Sequence, residues 1–110
     1  SLLNDLAIIK PYQDQDNYSA LHLYPIQVDL ESIDKSRQQI FDELRQSGIG
    51  VNVHYIPIHT QPYYQQLGFQ EGSFPNSEVY YDRAISIPLF HTMTLEQQDE
   101  VVNNLKSILI

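Results

Sequence analysis

Residues 48–62, GIGVNVHYIPIHTQP, constrain the fold more than any other stretch. A helical pattern runs up to Gly48, and alternation begins directly after it. Glycine enters the left-handed conformation that closes a helix without steric cost, so Gly48 is the expected helix stop. Beyond it Val51, Val53 and Tyr55 alternate with Asn52, His54 and Ile56, the period of two of a strand. Pro57 cannot donate to a ladder and bends the chain away into a loop that carries His59. Helix, strand and bent loop therefore follow in immediate succession, delivering His54, Tyr55 and His59 within six residues.

The remaining segments are read against that frame of alternation and helical spacing. Residues 1–18 start apolar (Leu2, Leu3, Leu6, Ile8, Ile9), as a short helix or strand packed on the body, and turn into a polar loop. Residues 19–29, SALHLYPIQVD, alternate as a strand in which Pro25 marks an edge, a bend or a bulge. Ile33, Arg37, Ile40, Phe41 and Leu44 recur at helical spacing, with Ser32 or Asp34 as cap and Gly48 as stop. Residues 61–68 read as a helical turn running into a loop, and Asn76 as the cap of a short helix over 77–84. AISIPLF at 84–90 is a third strand, with Pro88 at an edge or end. Thr94-x-x-Gln97 is a capping box. It opens a final helix with Leu95, Val101, Val102, Leu105, Ile108 and Leu109 on its apolar face. The order β-α-β-(short α)-β-α gives a small α+β domain of three short strands with helices on one face of the sheet.

Composition removes several function classes. The chain has 110 residues, enough for one domain, and its 42% hydrophobic and 18% charged residues are those of a globular protein. It has no cysteine, which excludes disulfides, thiolate metal sites and cysteine nucleophiles. The net charge is −8, and Lys10, Lys35, Arg37, Arg45, Arg83 and Lys106 are scattered. No basic stripe suited to nucleic acid results. No apolar run approaches the roughly 20 residues of a membrane span. The first ten residues lack the charge and cleavage pattern of a signal peptide.

Four groups could carry chemistry. His54 and His59 flank a proline-bent strand exit, and Tyr55 adds a hydroxyl and an aromatic face suited to a polar small molecule. The same loop could equally serve only to close the core. Arg83 could contact an anion, or form a surface salt bridge to Glu78 or near Asp82. His22 and His91 read as half-buried strand-end residues. No metal-binding motif unites the four histidines, so no metal is expected. The pairs Tyr63-Tyr64 and Tyr80-Tyr81 suit packing or an interface. No nucleophile-and-base pairing, glycine-rich phosphate loop or close acid pair is visible.

GIGVNVHYIPIHTQPYY followed by FPNSEVYYDRAISIPLFHTMT resembles the end of the pyridoxal-phosphate-dependent nucleotide-sugar aminotransferases, the DegT/DnrJ/StrS group. SALHLYPIQVD and the helix with Asp34 and Arg37 are similar to the same family's preceding segments. The likeness is greatest to transaminases acting at C4 of UDP-linked 4-keto sugars, as in pseudaminic-acid or spore-coat polysaccharide pathways. It implies the small C-terminal domain of a fold-type-I enzyme, with a mainly antiparallel sheet. Residues 19–110 would form that domain, and 1–18 would lead in from a missing large domain.

The pyridoxal 5'-phosphate and its aldimine lysine would belong to that large domain, since Lys10, Lys35 and Lys106 lie outside the family's lysine motif. The resemblance thus implies no catalytic or cofactor-binding residue here, no cofactor bound to this chain alone, and an inactive fragment. His54, Tyr55, His59 and Arg83 would hold the nucleotide sugar. Glutamate would be the amino donor, and the whole enzyme would be a cytoplasmic homodimer. Two rivals are a stand-alone small-molecule or protein-binding module without catalysis, and a metal-dependent hydrolase.

Overall fold

In the computed structural model, which describes residues 2–110, the two long helices begin at reciprocal caps. Helix α1 spans Arg37–Gln46, and the Ser36 hydroxyl accepts from the Gln39 N–H while the Gln39 side chain accepts from the Ser36 N–H. The last helix, α4, spans Leu95–Ile108 and starts at the same box made by Thr94 and Gln97. Each box satisfies two backbone donors that a helix start otherwise leaves open. The final box is the expected one. The first lies beyond the expected Ser32 or Asp34, because Ile33 packs against the core from the turn before the helix rather than from within it.

Helix α1 ends as its sequence requires. Gly48 has φ +82°, its N–H reaches the Arg45 carbonyl at 3.0 Å, and the Ile49 N–H reaches the Leu44 carbonyl at 2.9 Å. These are the two bonds of a Schellman closure, and its customary apolar contact joins buried Leu44 to buried Ile49.

Three strands form one antiparallel sheet in the order β1-β2-β3: β1 at Ile8–Ile9, β2 at Tyr24–Val28 and β3 at Ala84–Ile87. The sheet is the expected α+β kind, but its members differ from those expected. The segment after Gly48 supplies no strand: only Asn52 bridges to Ser86, on the side of β3 away from β2. Val51 is buried and Asn52 exposed, but Val53 and His54 are both half-buried and Tyr55 and Ile56 both exposed, so the period of two ends with the one bridge. The apolar N-terminal segment contributes the third strand instead, and Leu3 joins the core.

Pro25 lies inside β2, the central strand, and the ladder explains how. Both backbone groups of Ser86 bond Asn52, so the pair Pro25↔Ser86 exchanges no hydrogen bond, and the proline nitrogen faces β1. There β1 pairs only Ile8 with Val28 and Ile9 with Gln27. Continuing that register would set Pro11 against Pro25, two residues without an N–H, and the strand stops short.

The core fills the space between the sheet and helices α1 and α4: Ile26, Val28 and Ile85 meet Ile40, Leu44, Val101, Val102, Leu105 and Ile108. Lys35 ties the two helices together, its ammonium 2.7 Å from Glu43 Oε2 and 2.9 Å from the Ile108 carbonyl at the end of α4. A cation there complements the helix dipole. Leu95, expected on the buried face of α4, is 78% exposed because it occupies the first turn, before the helix reaches the sheet.

Between α1 and β3 the chain forms a 3-10 turn at Ile58–Thr60, a short helix α2 at Pro62–Gln66, and α3 at Pro75–Arg83. Asn76 does not cap α3. Pro75 occupies its first turn and Phe74 precedes it without a side-chain cap, because proline at that position already has helical φ. β3 ends at Ile87, one residue before Pro88.

Candidate functional site

The single bridge at Asn52 sets the geometry of the residues that follow. It fixes the chain beside β3, and two residues later the half-buried His54 places Nδ1 2.8 Å from the hydroxyl of buried Ser86. His54 and Ser86 are 32 residues apart, so no local pattern could have paired them. Tyr55 follows a cis His54–Tyr55 peptide, sets its ring edge-on to His54 with centroids 4.6 Å apart, and is 72% exposed. Among the described residues His54 Nε2 has no hydrogen-bond partner, and it is not one of the buried unpaired atoms. The pair thus offers a ring nitrogen and a phenol outward, backed by a fixed hydroxyl.

His59 goes elsewhere. The 3-10 turn buries it to 6% exposure, edge-on to Phe74 at 4.9 Å, with Nε2 3.6 Å from Glu78 Oε2. That separation is ion-pair range but too long for a hydrogen bond, and Nε2 has no other partner. The Glu78 carboxylate accepts the Gly72 N–H at 2.8 and 3.0 Å and so pins the loop before α3. Rings continue outward from His59 through Phe74, Phe69 and Tyr64 to Tyr63, with successive centroids 4.9 to 6.3 Å apart. An open hollow of about 370 Å³ lies against Ile58, His59, Tyr64, Phe69, Phe74 and Ser77. Its lining is mostly apolar.

Arg83 is engaged by neither Glu78 nor a neighbour of Asp82. It reaches back to Glu31, 3.3 Å away and 84% exposed, in the turn after β2. Among the described residues no hydrogen bond, ion pair or ring contact joins His54, His59 and Arg83 to one another, so the four candidates divide into a His54–Tyr55 pair, a buried His59 and a peripheral Arg83. His22 and His91 are both exposed rather than half-buried. Among the described residues no group of three His, Asp or Glu could hold a metal, and no helix is long and apolar enough to cross a membrane.

The turn facing Arg83 titrates. The Ser32 hydroxyl donates to Asp29 at 2.6 Å and holds its carboxyl below the usual range; the Glu31 N–H and the Arg83 charge add to this against partial desolvation. A depressed carboxyl pKa contributes stability above its unfolded value, near 3.9, and loses it as pH falls through the lower folded value. Ser32→Ala is therefore expected to lower the urea midpoint slightly at pH 7. The difference from wild type should shrink as pH is taken down from about 4 towards 2. A difference that stays constant over that range would assign the effect to packing instead.

Lys35 is committed to Glu43 and Ile108, Lys10 reaches Asn4 Oδ1 at 2.6 Å, Lys106 is exposed on α4, and none of them lines the hollow against His59.

Sheet order, the α1–α4 layer and the aromatic loop define a small α+β domain. Residues 1–106 match the DegT/DnrJ/EryC1/StrS aminotransferase family, and the chain belongs to it. The spore coat polysaccharide biosynthesis protein SpsC of Bacillus subtilis is 38% identical over 103 residues, which cover 92% of this chain and 26% of that protein. Spr1654 of Streptococcus pneumoniae, solved in its PMP-form, superposes with a TM-score of 0.85 at 27% identity over 97% of this chain and 27% of its own. PseC of Helicobacter pylori, an aminotransferase involved in the biosynthesis of pseudoaminic acid, gives 0.87 at 25% identity over 98% of this chain and 29% of its own. The chain thus spans about a quarter of the length of these relatives.

Proposed function

We propose that the chain is the substrate-facing C-terminal portion of a pyridoxal-phosphate-dependent aminotransferase that moves an amino group from glutamate to a nucleotide-linked 4-keto-6-deoxy sugar. Family membership of a chain a quarter as long as its relatives carries this reading. In it residues 19–110 are the small domain, residues 1–18 lead in from the large one, and the enzyme is a cytoplasmic homodimer. The lysine and cofactor sit in the remainder of the protein, so this chain alone is inactive. His54 and Tyr55 face the sugar nucleotide directly. His59 supports them from the buried side of the turn, and Arg83 reaches a substrate anion only by giving up Glu31. The exposed apolar residues of the loop region, Tyr55, Ile56, Ile58, Tyr63, Leu67 and Phe74, support the large domain as their cover.

Incubation of the chain with pyridoxal phosphate, borohydride reduction and mapping of the modified lysines tests the division of labour. Sparse, unselective modification of Lys10, Lys35 and Lys106 is expected; stoichiometric modification of one of them overturns it. With the large domain restored, transamination of the keto sugar is expected, and His54→Ala should raise KM for it about ten-fold, the worth of one hydrogen bond. Absence of transamination with every nucleotide-linked keto sugar offered would overturn the activity itself.

A further inference from the structure

Ser86 is an unusual place for a hydroxyl. It sits in the middle of β3, is buried, and has both backbone groups taken by Asn52: its N–H donates at 2.7 Å and its carbonyl accepts at 3.2 Å. Its side chain has one recorded partner, His54 Nδ1 at 2.8 Å. A serine hydroxyl carries one proton, and a buried proton donor needs an acceptor. Among the described residues Nδ1 is the acceptor available to it. If Nδ1 carried the proton instead, the hydroxyl would accept, and its own hydrogen would be left buried without a partner.

From this geometry we infer that Ser86 is a positioning residue: its hydroxyl donates to His54 Nδ1 and holds the imidazole as the neutral tautomer protonated on Nε2. His54 then presents an N–H, not a lone pair, on the side where it makes no bond within the chain. The partner that suits it is an acceptor oxygen, the chemistry of a phosphate, a sugar hydroxyl or a ring carbonyl. The inference deepens the proposed substrate-facing role of His54 and rests on that role for the identity of the partner. The tautomer itself does not depend on it. The hydroxyl is anchored in the sheet, since both backbone groups of Ser86 bond Asn52.

The test has two arms. Long-range nitrogen–proton correlation NMR on the 110-residue chain, near neutral pH, reads the tautomer of each histidine. His54 is expected to show a protonated Nε2 and an unprotonated Nδ1, and a mixed or Nδ1-protonated pattern overturns the inference. Ser86→Ala should convert His54 to a mixture of tautomers, and Ser86→Thr, which keeps the hydroxyl, should restore the single form. An alanine variant that is folded by its amide spectrum yet leaves His54 unchanged also overturns it. The second arm uses the intact enzyme, where Ser86→Ala should raise KM for the nucleotide sugar about five-fold with kcat little changed, as expected for loss of uniform binding. A correct tautomer with an unmoved KM would overturn the assignment of His54 to the substrate, while leaving the aminotransferase activity standing.

Discussion

Leu44→Ala is expected to lower the stability of the chain by about 3 kcal/mol, within the 2–5 kcal/mol that truncation of a buried leucine costs. Leu44 is fully buried in the α1–α4 layer, and its carbonyl receives the Ile49 N–H that closes the helix. The substitution leaves that backbone bond but removes the apolar contact between Leu44 and Ile49 and opens a cavity under the sheet. Domains of this size hold about 5–15 kcal/mol in total, so the loss is a large fraction. In a thermal melt followed by circular dichroism it corresponds to a fall in Tm of roughly 12–24 °C. Leu95→Ala supplies the contrast, since Leu95 is 78% exposed and its truncation should cost about 0.5 kcal/mol or less. Equal effects from the two would mean that the core does not lie where α1 meets α4.

Gly48→Val tests the turn between that core and the candidate site. Gly48 has φ +82°, and a Cβ built there meets nothing within 4 Å. The penalty is therefore conformational rather than a clash, about 1–3 kcal/mol for a residue held in the left-handed region, and larger for a β-branched side chain than for alanine. Gly50 separates the two causes: it also has open space around it, but its φ is outside the left-handed region. Gly50→Ala should be close to neutral, or slightly stabilising by restricting the unfolded chain. Urea midpoints of the three variants should rank Gly50→Ala above Gly48→Ala above Gly48→Val. If Gly50→Ala were as damaging as Gly48→Val, the open space around Gly50 would be wrong.

The comparison of sequence with structure turns on what was local. The Thr94–Gln97 box and Gly48 are signals within one turn of helix, and both elements form where those signals stand. The α1 start was misplaced by four residues or less because Ile33 sits seven before Ile40, a spacing that a helix and a packed turn share. The strand expected after Gly48 failed for a different reason. Alternation reports which side chains are buried, and Val51 and Asn52 obey it, but a strand also needs a partner backbone, and β3 offers Asn52 one residue. β1 is two residues long and carries no period, so the sequence leaves helix and strand equally open there.

The candidate site divides the same way. His54 and Tyr55 are adjacent in the sequence and together in space. The partners that give them direction, Ser86 for His54 and Glu78 beside His59, come from elements brought in by the sheet. The salt bridge expected from Arg83 to Glu78 or near Asp82 does not form; its partner Glu31 is 52 residues away, across the turn after β2. Sequence spacing names the groups with chemistry, and the family resemblance names the class of protein. Neither could say which of them was buried.

The facing prolines that cut β1 short bear on how these molecules behave toward one another. A long bare strand edge is a template on which a second chain can build, and rows of such edges grow into aggregates. Here the edge strand is two residues long, and a strand replacing it along β2 would find no donor at Pro25. With a net charge of −8 adding mutual repulsion, the sheet resists polymerising through its β1 margin.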